Sequence, residues 1–137
     1  MFITLEKVII LGSVDIFKET QKETLAQVAD IVEEVSLDKG SVIFEEGDHG
    51  DYMCIIARGS VRIHKGVEEI CVLKDREFFG ELAVLDPEPR MATATTASET
   101  VLFKIHQSAL LELMSADGQV TRGILKELSK RLRSVSK

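Results

Sequence analysis

The central part of the sequence, residues 34–73, consists of short apolar runs separated by turns that contain glycine. The turn glycines fall at nearly regular intervals, at Gly40, Gly47, Gly59 and Gly66. Glycine is the residue that most readily adopts the positive φ angles of tight turns. Short strands with turns at such spacing are typical of a β-sandwich or a jelly-roll barrel. The pattern therefore predicts a mainly β fold.

Helical patterns precede this β region. In a first predicted helix, Leu5 and Ile9 share one face. A second amphipathic helix is predicted over residues 21–32, because its apolar residues recur at helical spacing. Thr20 and Glu23 match the T-x-x-E pattern of a capping box, which predicts that this helix begins just after Thr20.

Helical patterns also follow the β region. The run "SALLELM" predicts one helix, which Asp117 and Gly118 interrupt. The chain then continues as a long amphipathic helix with lysines and arginines opposite an apolar stripe. The stripe consists of Ile124, Leu128, Leu132 and Val135. We expect one domain, with N-terminal helices over residues 1–33, a β-barrel over 34–106 and C-terminal helices over 107–137.

Composition limits the classes of function. Hydrophobic residues make up 45% and charged residues 29% of the 137 residues, which predicts an ordered chain with a core of its own. The net charge of -6 opposes general binding to nucleic acid, whose phosphates require a basic surface. The N-terminal segment "MFITLEKVIILG" is interrupted by charges and is predicted to be neither a signal peptide nor a membrane span.

The cysteines and histidines do not form a recognisable reactive or metal-binding motif. Cys54 and Cys71 are isolated within apolar runs, so both are predicted to be reduced core residues of a cytoplasmic protein. His49, His64 and His106 are scattered, whereas a metal enzyme of the cupin type needs clustered histidines. Because a nucleophile elbow is also missing, we expect no metal, no catalytic residues and no enzymatic activity.

The segment "REFFGELAVLDPEPRMATATT", residues 76–96, places one acid and one base around a short turn that starts at a glycine. A helix start attracts anions through its unpaired N–H groups and its dipole. Arg90 adds a planar fork of donors that suits two phosphate oxygens. Glu81 only accepts hydrogen bonds, so it fits a ligand hydroxyl rather than a phosphate. Residue types alone leave open both a nucleotide site and a simple ion pair between Glu81 and Arg90.

The same segment resembles the phosphate-binding cassette of cyclic nucleotide-binding domains, the family of the bacterial catabolite activator and the regulatory subunit of protein kinase A. The family pattern is F-G-E-[LI]-A, a short variable loop, then R, a small residue and A. It is met here by Phe79, Gly80, Glu81, Leu82, Ala83, Arg90 and Ala92. The resemblance covers essentially the whole chain. It implies a double-stranded β-helix with N-terminal helices, a short cassette helix within residues 79–92 and a C-terminal lid helix.

The resemblance also implies a ligand, a small-molecule cyclic nucleotide, and a role for each matching residue. The cyclic phosphate would be held by Leu82, Ala83, Arg90, Met91 and Ala92. The ribose would be held by Gly80 and Glu81. The base would lie against the apolar strand residues Ile63, Ile70, Val72 and Leu73. The closing helix would cover the base.

Two positions depart from the family pattern. Met91 stands where the family usually has a small residue, and its backbone N–H is still available to a phosphate. A threonine there commonly favours cGMP in the family, so Met91 favours cAMP over cGMP as the ligand. A bulky side chain at Met91 also keeps an alternative open, a structural or protein-interaction module that binds no ligand. Arg76 replaces a frequent glycine, which implies a turn without positive φ or a mildly strained one.

The expected output is regulatory. Ligand binding would reposition the C-terminal helix and so signal to a partner or a fused effector domain. The apolar stripe of that helix also permits a homodimer. DNA binding would require a helix-turn-helix after the closing helix, and the 137-residue sequence is not expected to have room for one. We therefore expect no nucleic-acid partner. We also expect no membrane contact by this domain.

Overall fold

The computed structural model describes residues 1–81 and 88–136. The α-helices in that part of the chain are α1 (Thr4–Gly12), α2 (Lys22–Ile31), α3 (Gln107–Ala116) and α4 (Gly118–Ser136), with a 3-10 helix at Asp15–Phe17. The strands are β1 (Glu33–Leu37), β2 (Val42–Phe44), β3 (Tyr52–Arg58), β4 (Ser60–Lys65), β5 (Glu68–Lys74), β6 (Phe78–Phe79), β7 (Thr93–Thr96) and β8 (Thr100–His106). A short cassette helix was predicted within residues 79–92, and residues 82–87 of that range lie outside the described residues.

The chain folds into two compact units. The helical unit comprises Met1–Ile31 together with the C-terminal helices from Ser108 onward, and the strand unit comprises Val32–Gln107. Each described helix falls short of the combination of length and apolar character that a bilayer-spanning helix requires.

The strand unit contains two four-stranded antiparallel sheets. The strand order is β1-β8-β3-β6 in the first sheet and β2-β7-β4-β5 in the second. The prediction of a mainly β, jelly-roll-like fold with flanking helices is confirmed. The described strands form an open sandwich, in which each sheet keeps its own edge strands.

The core of the strand unit lies between the two sheets. Side chains alternate between the faces of a strand, so every second residue of each strand points into this layer. The first sheet contributes Cys54, Ile56, Phe79 and Leu102, and the second contributes Val61 and Ala94. Burial of each large apolar side chain stabilises the sandwich by about 1.5–3 kcal/mol.

Strand β5 is the exposed edge of the second sheet. The prediction that both cysteines are core residues is confirmed for Cys54 and wrong for Cys71, which is exposed on β5. The apolar run around Cys71 indicated a buried strand, but an edge strand has a neighbour on only one side. Its residues therefore keep much of their exposure.

The N-terminal helices differ from the sequence expectation in their details. Leu5 and Ile9 are exposed, and α1 buries Ile10 and Leu11 instead. The predicted capping box is wrong, because the Thr20 hydroxyl has no hydrogen-bond partner among the described residues. The helix begins one residue later than predicted, since the first i to i−4 bond runs from the Leu25 N–H to the Gln21 carbonyl.

The break between α3 and α4 occurs where the sequence indicated. Asp117 caps α4, because its Oδ1 accepts a hydrogen bond from the Gln119 N–H at 2.8 Å. Its Oδ2 accepts a second bond from the Thr24 hydroxyl at 2.6 Å, which joins α4 to α2 within the helical unit. Along α4, Ile124 is buried, whereas Leu132 is 69% exposed.

Candidate functional site

The backbone of Arg90 is held by the turn between β2 and β3. The Arg90 N–H donates to the Asp48 carbonyl at 2.7 Å, and the Gly47 N–H donates to the Arg90 carbonyl at 2.8 Å. His49 and Pro89 form an isolated β-bridge beside these two bonds. This short ladder fixes where the Arg90 side chain leaves the backbone.

The side chain of Arg90 is buried between two aromatic rings. The residue is only 6% exposed. Its Cζ lies 4.1 Å from the ring centroid of Phe44 and 4.7 Å from that of Tyr52. Both contacts are cation–π interactions. The rings therefore replace part of the solvation that the guanidinium loses on burial.

The guanidinium donates to two backbone carbonyls through its terminal nitrogens. Nη2 donates to the Tyr52 carbonyl at 2.7 Å, and Nη1 lies 3.5 Å from the Gly80 carbonyl. Nε is buried and has no hydrogen-bond partner among the described residues. A buried donor without an acceptor is costly, so such a group is most often found where a ligand or water supplies the acceptor.

Two glycines make room for this arginine. A Cβ on Gly50 would lie 2.5 Å from the Arg90 Cζ, and one on Gly80 would lie 2.6 Å from its Nη1. Gly80 also has a φ of +79°, which disfavours any residue with a side chain. The sequence pointed to Gly80 as a position of close ligand approach, and the Arg90 side chain is the group that approaches it here.

Two ionisable groups beside Arg90, the Tyr52 hydroxyl and the Cys54 thiol, carry no charge at neutral pH. Burial raises the pKa of the Tyr52 hydroxyl. Burial also raises the pKa of the Cys54 thiol to about 12. Both groups are therefore uncharged at neutral pH. Lys104 adds a second cation, with its Nζ 4.6 Å from the centroid of the Tyr52 ring. Arg90 and Lys104 thus bring two cations to the Tyr52 ring, and cations of this kind suit an anionic ligand.

The other residues that the sequence assigned to phosphate and ribose lie along the chain on both sides of Arg90. Glu81 directly follows Gly80 and is partly buried. Leu82 and Ala83 lie outside the described residues. The Met91 side chain is 72% exposed, and the partly buried Ala92 leads into β7.

The residues predicted to contact the base do not all lie on one face of the second sheet. Cross-strand partners share a face. Val61, which is buried, is paired with Leu73, and Ile63 is paired with Cys71, so these side chains face the layer between the sheets.

Val72 is paired with Arg62 and faces the opposite way. It is 37% exposed, and Ile70, 54% exposed, lies at the register shift of β5. The structure thus keeps Ile63 and Leu73 together and separates Val72 from them. A continuous apolar run carries no alternation from which to choose a face, so the sequence alone could not separate Val72 from Ile63 and Leu73.

Three further residues of the site were missed at the level of sequence. Phe44 and Tyr52 flank Arg90, and Gly50 gives it space. Only the order "F-E-E-G-D-H-G-D-Y" hinted at them, as a turn with two glycines between aromatic strand ends.

The histidines are engaged separately. His64 bonds the Gly66 carbonyl and the Thr95 hydroxyl through its two ring nitrogens, and His106 pairs with Glu33 at 3.1 Å. Over residues 1–81 and 88–136, no three His, Cys, Asp or Glu side chains lie close enough together to hold a metal ion.

The sequence profile of the cyclic nucleotide-binding domain matches residues 34–117, more than half of the chain. The chain belongs to the cyclic nucleotide-binding domain family. Apart from Glu33, the first residue of β1, the matched range contains all strands from β1 to β8, together with Arg90 and its two flanking rings. The resemblance of the cassette segment to this family is therefore confirmed.

Curated relatives include regulators and kinase components. A CRP-like cAMP-activated global transcriptional regulator of Mycobacterium tuberculosis is 28% identical over 90% of this chain and 58% of its own length. A cAMP-dependent protein kinase regulatory subunit of Hypocrea atroviridis is 30% identical over 80% of this chain and 22% of its own. A cGMP-dependent protein kinase of Toxoplasma gondii is 37% identical over 73% of this chain and 10% of its own. The chain thus spans well under two thirds of each of these relatives.

Solved structures share the fold. The N-terminal domain of a transcriptional regulator from Streptomyces coelicolor A3(2) has a TM-score of 0.80 at 28% identity, over 93% of this chain and 92% of that domain. The catabolite activator protein of Thermus thermophilus has a TM-score of 0.83 at 24% identity, over 89% of this chain and 60% of that protein.

Proposed function

We propose that this chain is a cyclic nucleotide-binding regulatory domain, that its ligand is cAMP and that it is not itself an enzyme. The observation that carries the proposal is the buried Arg90 guanidinium, whose Nε donor has no hydrogen-bond partner among residues 1–81 and 88–136. A ligand phosphate would give this donor an acceptor and give the guanidinium an anionic partner. Membership of the family supports the same conclusion.

Each polar residue of the cassette takes one part of the ligand. Arg90 binds the cyclic phosphate through its guanidinium, in a charge-assisted contact that is stronger than a bond between neutral groups. The backbone of Leu82 and Ala83 and the N–H groups of Met91 and Ala92 complete the phosphate cradle.

Ribose and base bind on either side of this phosphate site. Glu81 accepts a hydrogen bond from the ribose hydroxyl, with help from the Gly80 backbone. The base lies on the inner face of the second sheet, against Ile63 and Leu73. Ile70 remains one of the proposed base-contacting residues, at the edge of the pocket.

The choice of cAMP over cGMP rests on Met91 and on relatives. Methionine has no hydroxyl with which to favour guanine, and its exposed side chain leaves the backbone N–H of residue 91 to the phosphate. Relatives from Mycobacterium tuberculosis and Hypocrea atroviridis are named for cAMP. One relative is named for cGMP, so cGMP is the competitor that a titration has to include.

A ligand-free structural module is the second candidate. It is favoured by the internal contacts of Arg90, whose guanidinium already reaches the carbonyls of Tyr52 and Gly80 and stacks on Phe44. In that reading the arginine holds β2, β3 and the end of β6 together. The two candidates differ in whether Arg90 gives up internal contacts for a ligand.

Isothermal titration calorimetry with cAMP and cGMP separates these candidates. We expect one cAMP per chain and weaker binding of cGMP. If neither nucleotide produces heat or a thermal shift at millimolar concentration, the proposal is overturned in favour of the ligand-free module.

Variants of Arg90 test the assignment of the phosphate contact. Arg90→Ala should weaken cAMP binding by about 2–4 kcal/mol, because a buried partner of the phosphate charge is lost. Arg90→Lys keeps the charge without the planar fork and should retain part of the affinity. Arg62→Ala is the matched control, because Arg62 faces away from the inner layer. Near-unchanged affinity in Arg90→Ala, with circular dichroism of the native type, would show that Arg90 has another role.

We further infer that ligand binding alters α4 and so signals to a fused or partner domain. Two exposed leucines of α4, Leu125 and Leu132, offer apolar surface for such a contact or for a homodimer. Hydrogen exchange measured with and without cAMP should change in α4, and Arg90→Ala should abolish the change. Identical exchange in both states would contradict this output.

A further inference from the structure

A row of four side chains runs straight across the second sheet and ends at a cysteine. Phe44 on β2 is paired with Ala94 on β7, Ala94 with Ile63 on β4, and Ile63 with Cys71 on β5. Cross-strand partners point to the same face of a sheet. Ala94 is fully buried in the core between the sheets, so the whole row faces that layer.

The two ends of this row differ in chemistry. At the β2 end, the Arg90 guanidinium is stacked 4.1 Å from the Phe44 ring. At the β5 end, Cys71 carries an exposed thiol. Three steps between neighbouring strands separate the two ends by roughly 14 Å. A nucleotide with its phosphate at Arg90 and its base along this row would point toward Cys71.

A second observation concerns the β2 end of this row. Arg90 is more than nine-tenths buried, and its Nε has no acceptor among the described residues. Phe44 and Tyr52 hold the side chain at the β2 end of the row. An anion bound there supplies the missing acceptor and fixes one end of the molecule to which it belongs.

We propose that Cys71 forms the wall of the nucleotide site at the end remote from Arg90, that a bound base covers its thiol, and that covalent modification of this thiol closes the site. The proposal rests on the function proposed above. The rate at which the Cys71 thiol reacts would then report whether the site is occupied. Modification of the thiol would control whether the site can be occupied.

The other cysteine serves as an internal control. Cys54 is fully buried on β3, and burial raises the pKa of its thiol to about 12. Because the thiolate is the reactive form, Cys54 should not react with an electrophile while the protein is folded. Native-state labelling of this chain should therefore modify Cys71 first and alone.

N-ethylmaleimide is a suitable probe. The Cys71 sulfur forms a bond to one alkene carbon, the carbon–carbon π bond opens, and the neighbouring carbon takes up a proton in place of the one lost from the thiol. Nothing else leaves, so the adduct is read directly as a mass increase. With cAMP at ten times its dissociation constant, the rate of labelling should fall about elevenfold, because only the unoccupied fraction reacts.

Two variants make the result specific to the site. In Arg90→Ala, the same cAMP concentration should leave the labelling rate close to that without ligand. Cys71→Ser should give no adduct on the folded protein, and its cAMP affinity should be the same before and after exposure to the reagent. The modified natural chain should lose cAMP binding by at least tenfold.

Failure of this inference can be told apart from failure of the proposed function. If the unmodified chain binds neither cAMP nor cGMP, the proposed function fails and this inference falls with it. If cAMP binds but labelling of Cys71 is equally fast with and without it, the thiol lies outside the site and this inference alone is overturned. Labelled protein that binds cAMP with full affinity overturns it as well.

Discussion

The guanidinium of Arg90 occupies the space in which a side chain on Gly50 would lie. A Cβ on Gly50 would stand 2.5 Å from the Arg90 Cζ, and closer still to Nε. The arginine cannot easily move aside, because Phe44 and Tyr52 stack on it from the β2 and β3 strands. Gly50→Ala should therefore displace the guanidinium and weaken cAMP binding by about 1–3 kcal/mol, measured by calorimetry.

Gly118→Ala is the matched control for this substitution. A Cβ on Gly118 would meet no atom within 4 Å, and Gly118 lies in the helical unit. Its variant should bind cAMP with natural affinity. If Gly50→Ala binds equally well, the close approach of Gly50 to Arg90 does not position the guanidinium for the ligand.

Much of the fold could be predicted from the sequence because its elements are bounded by strong local signals. Apolar runs between glycine turns indicated the region of β3 and β4, helical spacing located α2 within one residue, and the Asp117–Gly118 break marked the start of α4. The short strand β6 was not predicted as a strand. Its two phenylalanines are strand residues only because Cys54 and Ile55 of β3 pair with them, which is a tertiary effect.

The charged residues of the candidate site could be picked out from the sequence, whereas the aromatic residues that surround Arg90 could not. Arg90 and Glu81 stand in a recognisable local pattern, whereas Phe44 and Tyr52 come to Arg90 from strands about forty residues away in the chain. The exposure of Cys71 depends on which strand ends at the edge of the sheet, and strand order is not encoded in a local pattern. These features follow from topology, so sequence periodicity carried no information about them.

Arg76 adopts the strained alternative of the two that the sequence left open. Its φ is +73°, and its side chain donates to the Ala57 carbonyl. Arg76→Gly relieves the backbone strain, while Arg76→Ala loses the same hydrogen bond and keeps the strain. We expect the glycine variant to be the more stable of the two by about 1 kcal/mol in urea unfolding.

The glycine and alanine variants of Arg62 provide the comparison for those of Arg76. Arg62 lies within β4, where glycine should be less stable than alanine, as is usual inside a strand. An alanine variant at position 76 that is as stable as the glycine variant would contradict strain at this turn.

Gly123 lets α4 lie directly on the 3-10 helix of the helical unit. A Cβ at this position would stand 3.0 Å from the Ile16 carbonyl carbon and nearer still to its oxygen. Alanine is normally favoured over glycine inside a helix by about 1 kcal/mol. The overlap should reverse that order, so Gly123→Ala should lower the free energy of unfolding by about 1–3 kcal/mol.

Chemical denaturation of Gly123→Ala and Gly118→Ala, measured side by side, tests this contact. Gly118→Ala introduces no overlap and should be at least as stable as the natural chain. A stabilised Gly123→Ala variant would mean that the 3-10 helix yields to the methyl group and that the close contact is not required.

The bond from Thr24 to Asp117 makes the junction of α2 and α4 sensitive to acid. Donation by the Thr24 hydroxyl, and secondarily by the Gln119 N–H, lowers the pKa of the Asp117 carboxyl from its ordinary value of 3.8. A lowered carboxyl pKa in the folded state gives stability that is present above the unfolded-state pKa and is lost as pH falls through the folded-state value. Thr24→Val should therefore raise the pKa of Asp117 in a carbon-detected NMR titration.

The rise in Thr24→Val should be incomplete, because the Gln119 N–H still donates to the carboxylate. The stability difference between this variant and the natural chain should shrink as pH falls below 3.8, since protonation removes the charged acceptor in both. Thr121→Val is the control, because that hydroxyl donates to the Met114 carbonyl and leaves Asp117 untouched. An Asp117 pKa that is equal in the natural chain and in Thr24→Val would show that the hydroxyl does not set the acid response of this junction.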